Sequence, residues 1–448
     1  MQARGEFGSR LGFVMAAAGS AVGLGNIWGF PTQAASNGGA AFLIMYLVLA
    51  FLLAYPVLMA ELLLGRQAHS NAVTALSMLS DNHLARALGM TTGGAGIVTA
   101  CLILSFYGIV AGWMLGFTAA YPLSGIGFQH AADWFTTFGF ERNIYLMAIF
   151  MGLTIAIVAG GVKNGIERWS TRLMPALIMT LVVLAGYVLT LDGSGQGLRV
   201  YLLPDFSKLL SAELILKALG AAFFSLSLGV GTMLIYGSYL SDKESLPRAG
   251  ANVALIDIGI AVLAGFVILP AMYVAAERGV EIFDSAGNLL SEDTLIFTVL
   301  PKLFDTLGTA GLIVATAFFA LMSIAALTSS ISMLEVPVAY LVERHNWRRG
   351  VAAVVSGLLI ASFSLLILLN FDSLFGSVIA LSTRYAQPLL GLMFCIYAGW
   401  IWRQDRLLTE LRKGNPAAEQ GWFWRIWPHY VRWVCPTIVA SIFLRTAL

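Results

Sequence analysis

Two short stretches of this chain combine glycines with oxygen-bearing side chains in a pattern suited to holding a cation beside a small polar solute. One is Gly19-Ser20-Ala21-Val22-Gly23-Leu24-Gly25-Asn26 and the other Ser225-Leu226-Ser227-Leu228-Gly229-Val230-Gly231-Thr232. Each places a Gly-x-Gly before a hydrogen-bonding side chain, and a helix that unwinds there frees carbonyls and amides to act as ligands. A third stretch, Ala325-Ala326-Leu327-Thr328-Ser329-Ser330, adds hydroxyls. Hard cations such as sodium prefer oxygen ligands of these kinds. Glu61, Asp257, Glu335 and Arg384 also fall inside apolar segments, where a charge is expensive and functional by default. Blander readings exist for each feature. Gly19-x-x-x-Gly23 is also a helix-packing pattern, Ser and Thr hydroxyls can bond back to their own helix, and Asp257 can be protonated or bonded to a neighbouring helix.

The elements that must position these residues are membrane spans. The 448 residues are 58% hydrophobic and 11% charged, with a mean hydropathy of +0.82, whereas a soluble domain carries about 25% charged residues. Apolar runs of about 20 residues, enough to cross the hydrocarbon core, occur near 10–31, 40–65, 93–121, 144–161, 169–191, 214–240, 249–274, 305–341, 350–370, 376–402 and 429–447. With the N-terminus in the cytoplasm, most Lys and Arg fall inside, among them Arg66, Lys163, Arg248, Arg348, Arg349, Arg412 and Lys413, as the positive-inside rule requires. Five spans separate the two glycine-interrupted segments, so the second runs in the opposite direction. Interrupted helices at matching places in two halves are the sequence mark of a transporter built from inverted repeats.

The net charge of +2 gives no reason to expect nucleic acid as a partner. Cys101, Cys395 and Cys435 lie far apart in apolar segments, so no disulfide framework or metal cluster is legible. The absence of an Asn-x-Ser/Thr acceptor and of a cleavable signal pattern, with short loops throughout, predicts a prokaryotic inner membrane. His69, His83, His130, His345 and His429 sit near span ends or in loops, and no paired catalytic carboxylates occur at depth, so an enzyme is not expected.

These residues resemble the neurotransmitter:sodium symporter family, and in particular its prokaryotic amino-acid branch with the LeuT-type fold. The resemblance rests on Ser9-Arg10-Leu11-Gly12-Phe13, on Gly23-Leu24-Gly25-Asn26-Ile27-Trp28 with Phe30-Pro31, on Phe223 to Gly229, and on Leu327 to Ser332. It implies an all-α polytopic protein of eleven spans over 1–448, with unwound helices one and six. Repeat one would cover about 10–191 and repeat two about 214–402, with an extra helix near 429–447.

By this resemblance two sodium ions are expected and no organic cofactor. The first ion would use the Ala21 carbonyl, Asn26, Ser225 and Asp257, with the substrate carboxylate completing the set. The second would use carbonyls of Gly19, Val22 and Ala325 and the hydroxyls of Thr328 and Ser329. The substrate, a small neutral amino acid, would meet Tyr107 and the amides near Leu24 and Gly25, with its ammonium near Ala21, Phe224 and Ser225. Ser20, Ile103, Phe224, Ser227, Val230, Ser329 and Met333 would line its side-chain pocket. Asp257 would be the fixed anion that makes chloride unnecessary. Arg4 and Glu343 match the family's inner-gate pair, with Phe7 and Tyr239 nearby. The outer gate departs from the pattern, because Gly29, Ile379 and Ala221 stand where relatives carry polar residues. Tyr107 and Phe224, joined by Trp28, are expected to close it by apolar packing. A binding sensor that transports little, and a carrier coupled to protons through Asp257, are the rival readings. Oligomeric state is not legible.

Overall fold

The computed structural model describes residues 5–204, 206, 209, 211–285 and 289–447. Arg4, one half of the expected inner-gate pair, lies outside them. The chain opens with α1 (Arg10–Ala21) and α2 (Gly25–Ser36), which meet at 57° across a break of three residues. There follow α3 (Ala40–Ala68), α4 (His83–Gly125), α5 (Phe140–Ala159) and α6 (Val162–Val188). The second interrupted segment is α7 (Ala212–Ser225) and α8 (Thr232–Ser238). Then come α9 (Leu246–Glu277), α10 (Thr309–His345), α11 (Arg349–Leu369) and α12 (Phe371–Ile401). Short helices α13 (Gln404–Arg412) and α14 (Trp422–His429) lead into α15 (Cys435–Ala447).

By length and apolarity, eight helices among the described residues can cross a bilayer, or nine with the bent α1–α2 pair. The expected count of eleven is therefore not reached by that measure. The shortfall lies at the sixth and eleventh spans: α7 and α8 are separate short pieces, and a wider π turn at Tyr430–Val434 precedes α15. Among the described residues the only strand-like pairing is one isolated bridge, Phe283 with Leu289.

The core runs through the middle of the bundle, where α10 packs along α4 and α1 lies against α9, α10 and α6. Lipid supplies no hydrophobic drive between apolar helices, so close approach depends on small residues and polar links. Ser9 caps α1 by accepting the Gly12 amide at 2.9 Å, and its hydroxyl donates to Glu167 Oε1 at 3.0 Å. The Gly8 amide donates to Glu167 Oε2 at 2.6 Å, which ties the first turn of α1 to α6. Arg384, an ionisable residue inside a span, is exposed on α12 and faces away from the core.

Candidate functional site

A broken helix at membrane depth must find partners for the backbone groups it frees, and here each break is answered by a named side chain. At the first break, Asn26 Oδ1 accepts the Gly23 amide at 3.1 Å and Tyr107 Oη accepts the Leu24 amide at 3.1 Å. The freed Ser20 carbonyl accepts Ser227 Oγ at 2.9 Å. At the second break, Glu61 Oε1 accepts the Gly229 amide at 2.7 Å, and Gln387 Nε2 donates to the Leu228 carbonyl at 3.1 Å. The chain turns there through Ser227, Gly229 and Gly231, at φ of 52°, 74° and 85°. A Cβ at Gly229 would come within 2.0 Å of the Gln387 carbonyl oxygen, so both the left-handed conformation and the contact call for glycine.

Two oxygen-rich clusters form around these breaks. In the first, Asn26 Nδ2 donates to Ser225 Oγ and to Asp257 Oδ1, each at 2.7 Å, and Ser225 Oγ donates to Asp257 Oδ2 at 2.7 Å. Asn26, Ser225 and Asp257 come from α2, α7 and α9, and all are buried. Tyr46 Oη lies 3.1 Å from Ser225 Oγ, a fourth polar group that sequence reasoning missed because a lone tyrosine in an apolar span carries no pattern. In the second cluster, Ser329 Oγ faces the carbonyls of Val22 at 3.1 Å and Gly19 at 3.4 Å. Thr328 Oγ1 donates to the Ala325 carbonyl at 3.0 Å. A Cβ on Gly19 would lie 3.1 Å from Thr328 Cβ, so α1 and α10 touch at this point. The structure thus brings together Asn26, Ser225 and Asp257 in one cluster and Gly19, Val22, Ala325, Thr328 and Ser329 in the other; Ala21 lines the cavity between the breaks.

Between the breaks lies a narrow cavity of about 20 Å³, room for about one water. Ala21, Leu24, Gly25, Ile103, Tyr107, Phe224, Ser227, Val230, Ser329 and Met333 line it, all of them expected from the sequence. Two expected residues do not. Ser20 turns its hydroxyl to Ser332 Oγ at 2.7 Å, and Ser225 is held by Asn26 and Asp257. Gly23, Thr232 and Gln387 line it as well. Gln387 had a sequence signal, an amide inside an apolar span, that stayed unread.

A family model for the sodium:neurotransmitter symporter family matches residues 4–138 and 135–448. The chain belongs to that family. An uncharacterized sodium-dependent transporter of Bacillus subtilis is 35% identical to it, across 98% of this chain and 97% of its own length. One of Haemophilus influenzae is 31% identical, across 98% of each. Among solved structures, MhsT in complex with L-phenylalanine superposes with a TM-score of 0.84 at 36% identity, over 99% of this chain and 100% of that one. The chain is thus a sodium-dependent symporter with the LeuT-type fold, and not an enzyme.

The symporter is closed differently at its two ends. At the Phe7 end, the Phe7 ring packs edge-on against Phe13, Tyr236 and Tyr239, with centroids 5.6, 5.7 and 6.3 Å away. Tyr239 Oη donates to Glu335 Oε1 at 2.6 Å, and Arg349 pairs with the other Glu335 oxygen. The spans' unexplained acid thus has its partners, a cation at the start of α11 and a tyrosine just past α8. Glu343 accepts Ser70 Oγ at 3.1 Å and the Asn71 amide at 2.6 Å. At the other end Trp28 meets the Phe297 ring edge-on at 5.6 Å. Phe297 also contacts Trp113, Phe117 and Phe138, and it lines two cavities at this end of about 460 and 350 Å³. The seal at the Trp28 end therefore centres on Phe297 with Trp28. Tyr107 is engaged with Leu24, and Phe224 lies over Gly25, whose Cβ would be 2.7 Å from its ring.

Proposed function

We propose that this symporter imports a neutral, hydrophobic amino acid together with two sodium ions and without chloride. The observation that carries the reading is the buried convergence of Asn26, Ser225 and Asp257 at the break between α1 and α2. With the Ala21 carbonyl these groups form the first ion site, and the substrate carboxylate, received by Tyr107 and the Leu24 and Gly25 amides, joins it. Carbonyls of Gly19, Val22 and Ala325 with Thr328 and Ser329 form the second. Asp257 supplies the fixed negative charge that removes the need for chloride. The apolar lining from Ile103, Phe224, Val230 and Met333 supports an aliphatic or aromatic side chain, and the solved relative is described with L-phenylalanine. The N-terminus lies in the cytoplasm of a prokaryotic cell, and 10–191 and 214–402 form the inverted repeats of one transmembrane domain.

Two sites have an energetic consequence. At 100 mV each inward sodium ion contributes about 2.3 kcal/mol, and a tenfold gradient adds about 1.4. Two ions supply about 7 kcal/mol, or roughly 10⁵-fold accumulation, against roughly 500-fold for one. A thermal-shift panel of the twenty amino acids with and without sodium tests the reading, since a ligand that binds only the folded state raises the melting temperature. Hydrophobic amino acids should raise it in sodium but not in choline, and gluconate in place of chloride should change nothing. A shift that follows pH and ignores sodium would instead favour proton coupling through Asp257.

A further inference from the structure

Arg432 differs from the other arginines held within this fold. Arg66 donates to Glu410 Oε1 and to the carbonyls of Glu410 and Glu244. Arg142 donates to the Phe135 carbonyl and Asn143, and Arg349 pairs with Glu335 and the Val158 carbonyl. Among the described residues, Arg432 makes no ion pair and no side-chain hydrogen bond, and its Nε is buried without an acceptor. Yet its position is fixed. Gly399 on α12 has no Cβ to hold the chains apart, since one would lie 2.7 Å from Arg432 Cα, and Trp400 Nε1 donates to the Arg432 carbonyl at 2.8 Å. The guanidinium carbon then sits 4.5 Å from the Trp400 ring centroid and 5.7 Å from that of Trp433. The two indoles meet edge-on at 4.4 Å.

We infer that Trp400, Arg432 and Trp433 form a binding site for the phosphate of an anionic phospholipid. Indole faces satisfy the cation's charge by cation–π attraction but accept none of its N–H donors, which lie in the guanidinium plane. A planar donor fork without acceptors matches a phosphodiester. The surroundings fit the same ligand. Residues 420–434 contain no Asp or Glu, and Arg425 and His429, seven and three residues before Arg432, add exposed basic groups. Glu419, the preceding acid, is taken by Arg412. Trp400 and Trp433 are 46% and 56% exposed, and tryptophans of this kind sit at headgroup level. The site lies at the end of α12 and the start of the last span. With the orientation proposed above, on which the choice of leaflet rests, it faces the cytoplasmic leaflet, whose anionic lipids attract juxtamembrane basic groups.

Native mass spectrometry of the full chain in mild detergent tests this, using phosphatidylglycerol, phosphatidylcholine and inorganic phosphate as probes. The wild type should retain phosphatidylglycerol at least about five-fold better than phosphatidylcholine, and Arg432→Gln should lose that preference, about five-fold per basic group. Arg432→Lys, which keeps the charge and loses the fork, should fall between. Trp433→Leu, a milder change at an exposed position, should weaken retention if Arg432→Gln fails to fold. Undiminished retention in Arg432→Gln or in Trp433→Leu would overturn the site, as would displacement of the lipid by millimolar phosphate. Lipid retention is read without transport, so its failure leaves the proposed amino-acid import standing, and the reverse holds too.

Discussion

At the Phe7 end, Glu335 is fully buried between the Tyr239 hydroxyl and the Arg349 guanidinium, so closure there is directional and charged. At the Trp28 end, Phe297 sits among Trp28, Trp113, Phe117 and Phe138 with ring centroids 5.4 to 5.7 Å away; among the described residues no ion pair closes this end, and the Arg142 guanidinium lies over the Phe138 ring at 4.8 Å. The indole N–H groups of Trp28 and Trp113 are buried without acceptors, and at the other end the Tyr236 hydroxyl is left likewise. An unpaired buried donor costs about 1–3 kcal/mol. The contrast teaches that one fold can seal its ends by different means. Removing one partner of a buried ion pair strands the other, whereas ring packing is shared among several edge-on and tilted contacts and falls off piecemeal. Gly29, beside Trp28, adds no side chain to this end, and a Cβ there would meet nothing within 4 Å.

The comparison can be broken in graded steps. The largest effect is expected from Glu335→Ala, which leaves Arg349 without its partner at a cost of about 3–5 kcal/mol. Hydrogen exchange over 7–21 should speed up by two orders of magnitude or more; unchanged protection would mean that the charged cluster does not hold this end. Phe297→Ala should cost less, about 2 kcal/mol from the lost ring contacts. It should raise exchange over 295–306 about thirty-fold, by the same amount at 0.05 and 0.5 M salt. A strong salt dependence would show that charge, with Arg142 over the Phe138 ring the nearest source, contributes to the seal at this end. Least is expected of Gly29→Arg combined with Ile379→Asp. Both positions are half-buried; a surface pair yields about 0.2–1 kcal/mol and is screened by salt, so a double-mutant cycle on opening at this end should show small coupling at low salt and less at high salt. Coupling above about 2 kcal/mol would mean that a charged gate is still built into this end.

Much of this was legible because glycine leaves a mark. Gly23, Gly25, Gly229 and Gly231 announced both breaks, and Glu61 stood out only as a charge at depth, with capping of freed amides and contact with substrate both open; it accepts the Gly229 amide. The meeting of Asn26, Ser225 and Asp257 came from family resemblance, since nothing in spacing alone joins α2, α7 and α9. Tyr46 was missed because a lone tyrosine in an apolar span carries no pattern, and Gln387 because its single amide inside a span stayed unread, whereas Thr232 already stood in the second glycine motif. Family comparison at Gly29, Ile379 and Ala221 led to an expected apolar closure by Tyr107 and Phe224 with Trp28, and of these Trp28 packs in the ring cluster at this end. The hub of that cluster was not expected, because Phe297 sits in a short helical segment, 292–306, ahead of α10 that carries no span pattern. The count of eleven spans relied on unbroken apolar runs, which the interrupted α7–α8 segment and the turn before α15 do not supply.

Flux tests most directly whether the two unwound helices hold sodium and an amino acid side by side. Purified protein in proteoliposomes, given an inward sodium gradient, should accumulate radiolabelled leucine or phenylalanine. Uptake should stop in choline and continue when gluconate replaces chloride. Equal uptake in sodium and in choline, or no uptake of any of the twenty amino acids, would contradict it.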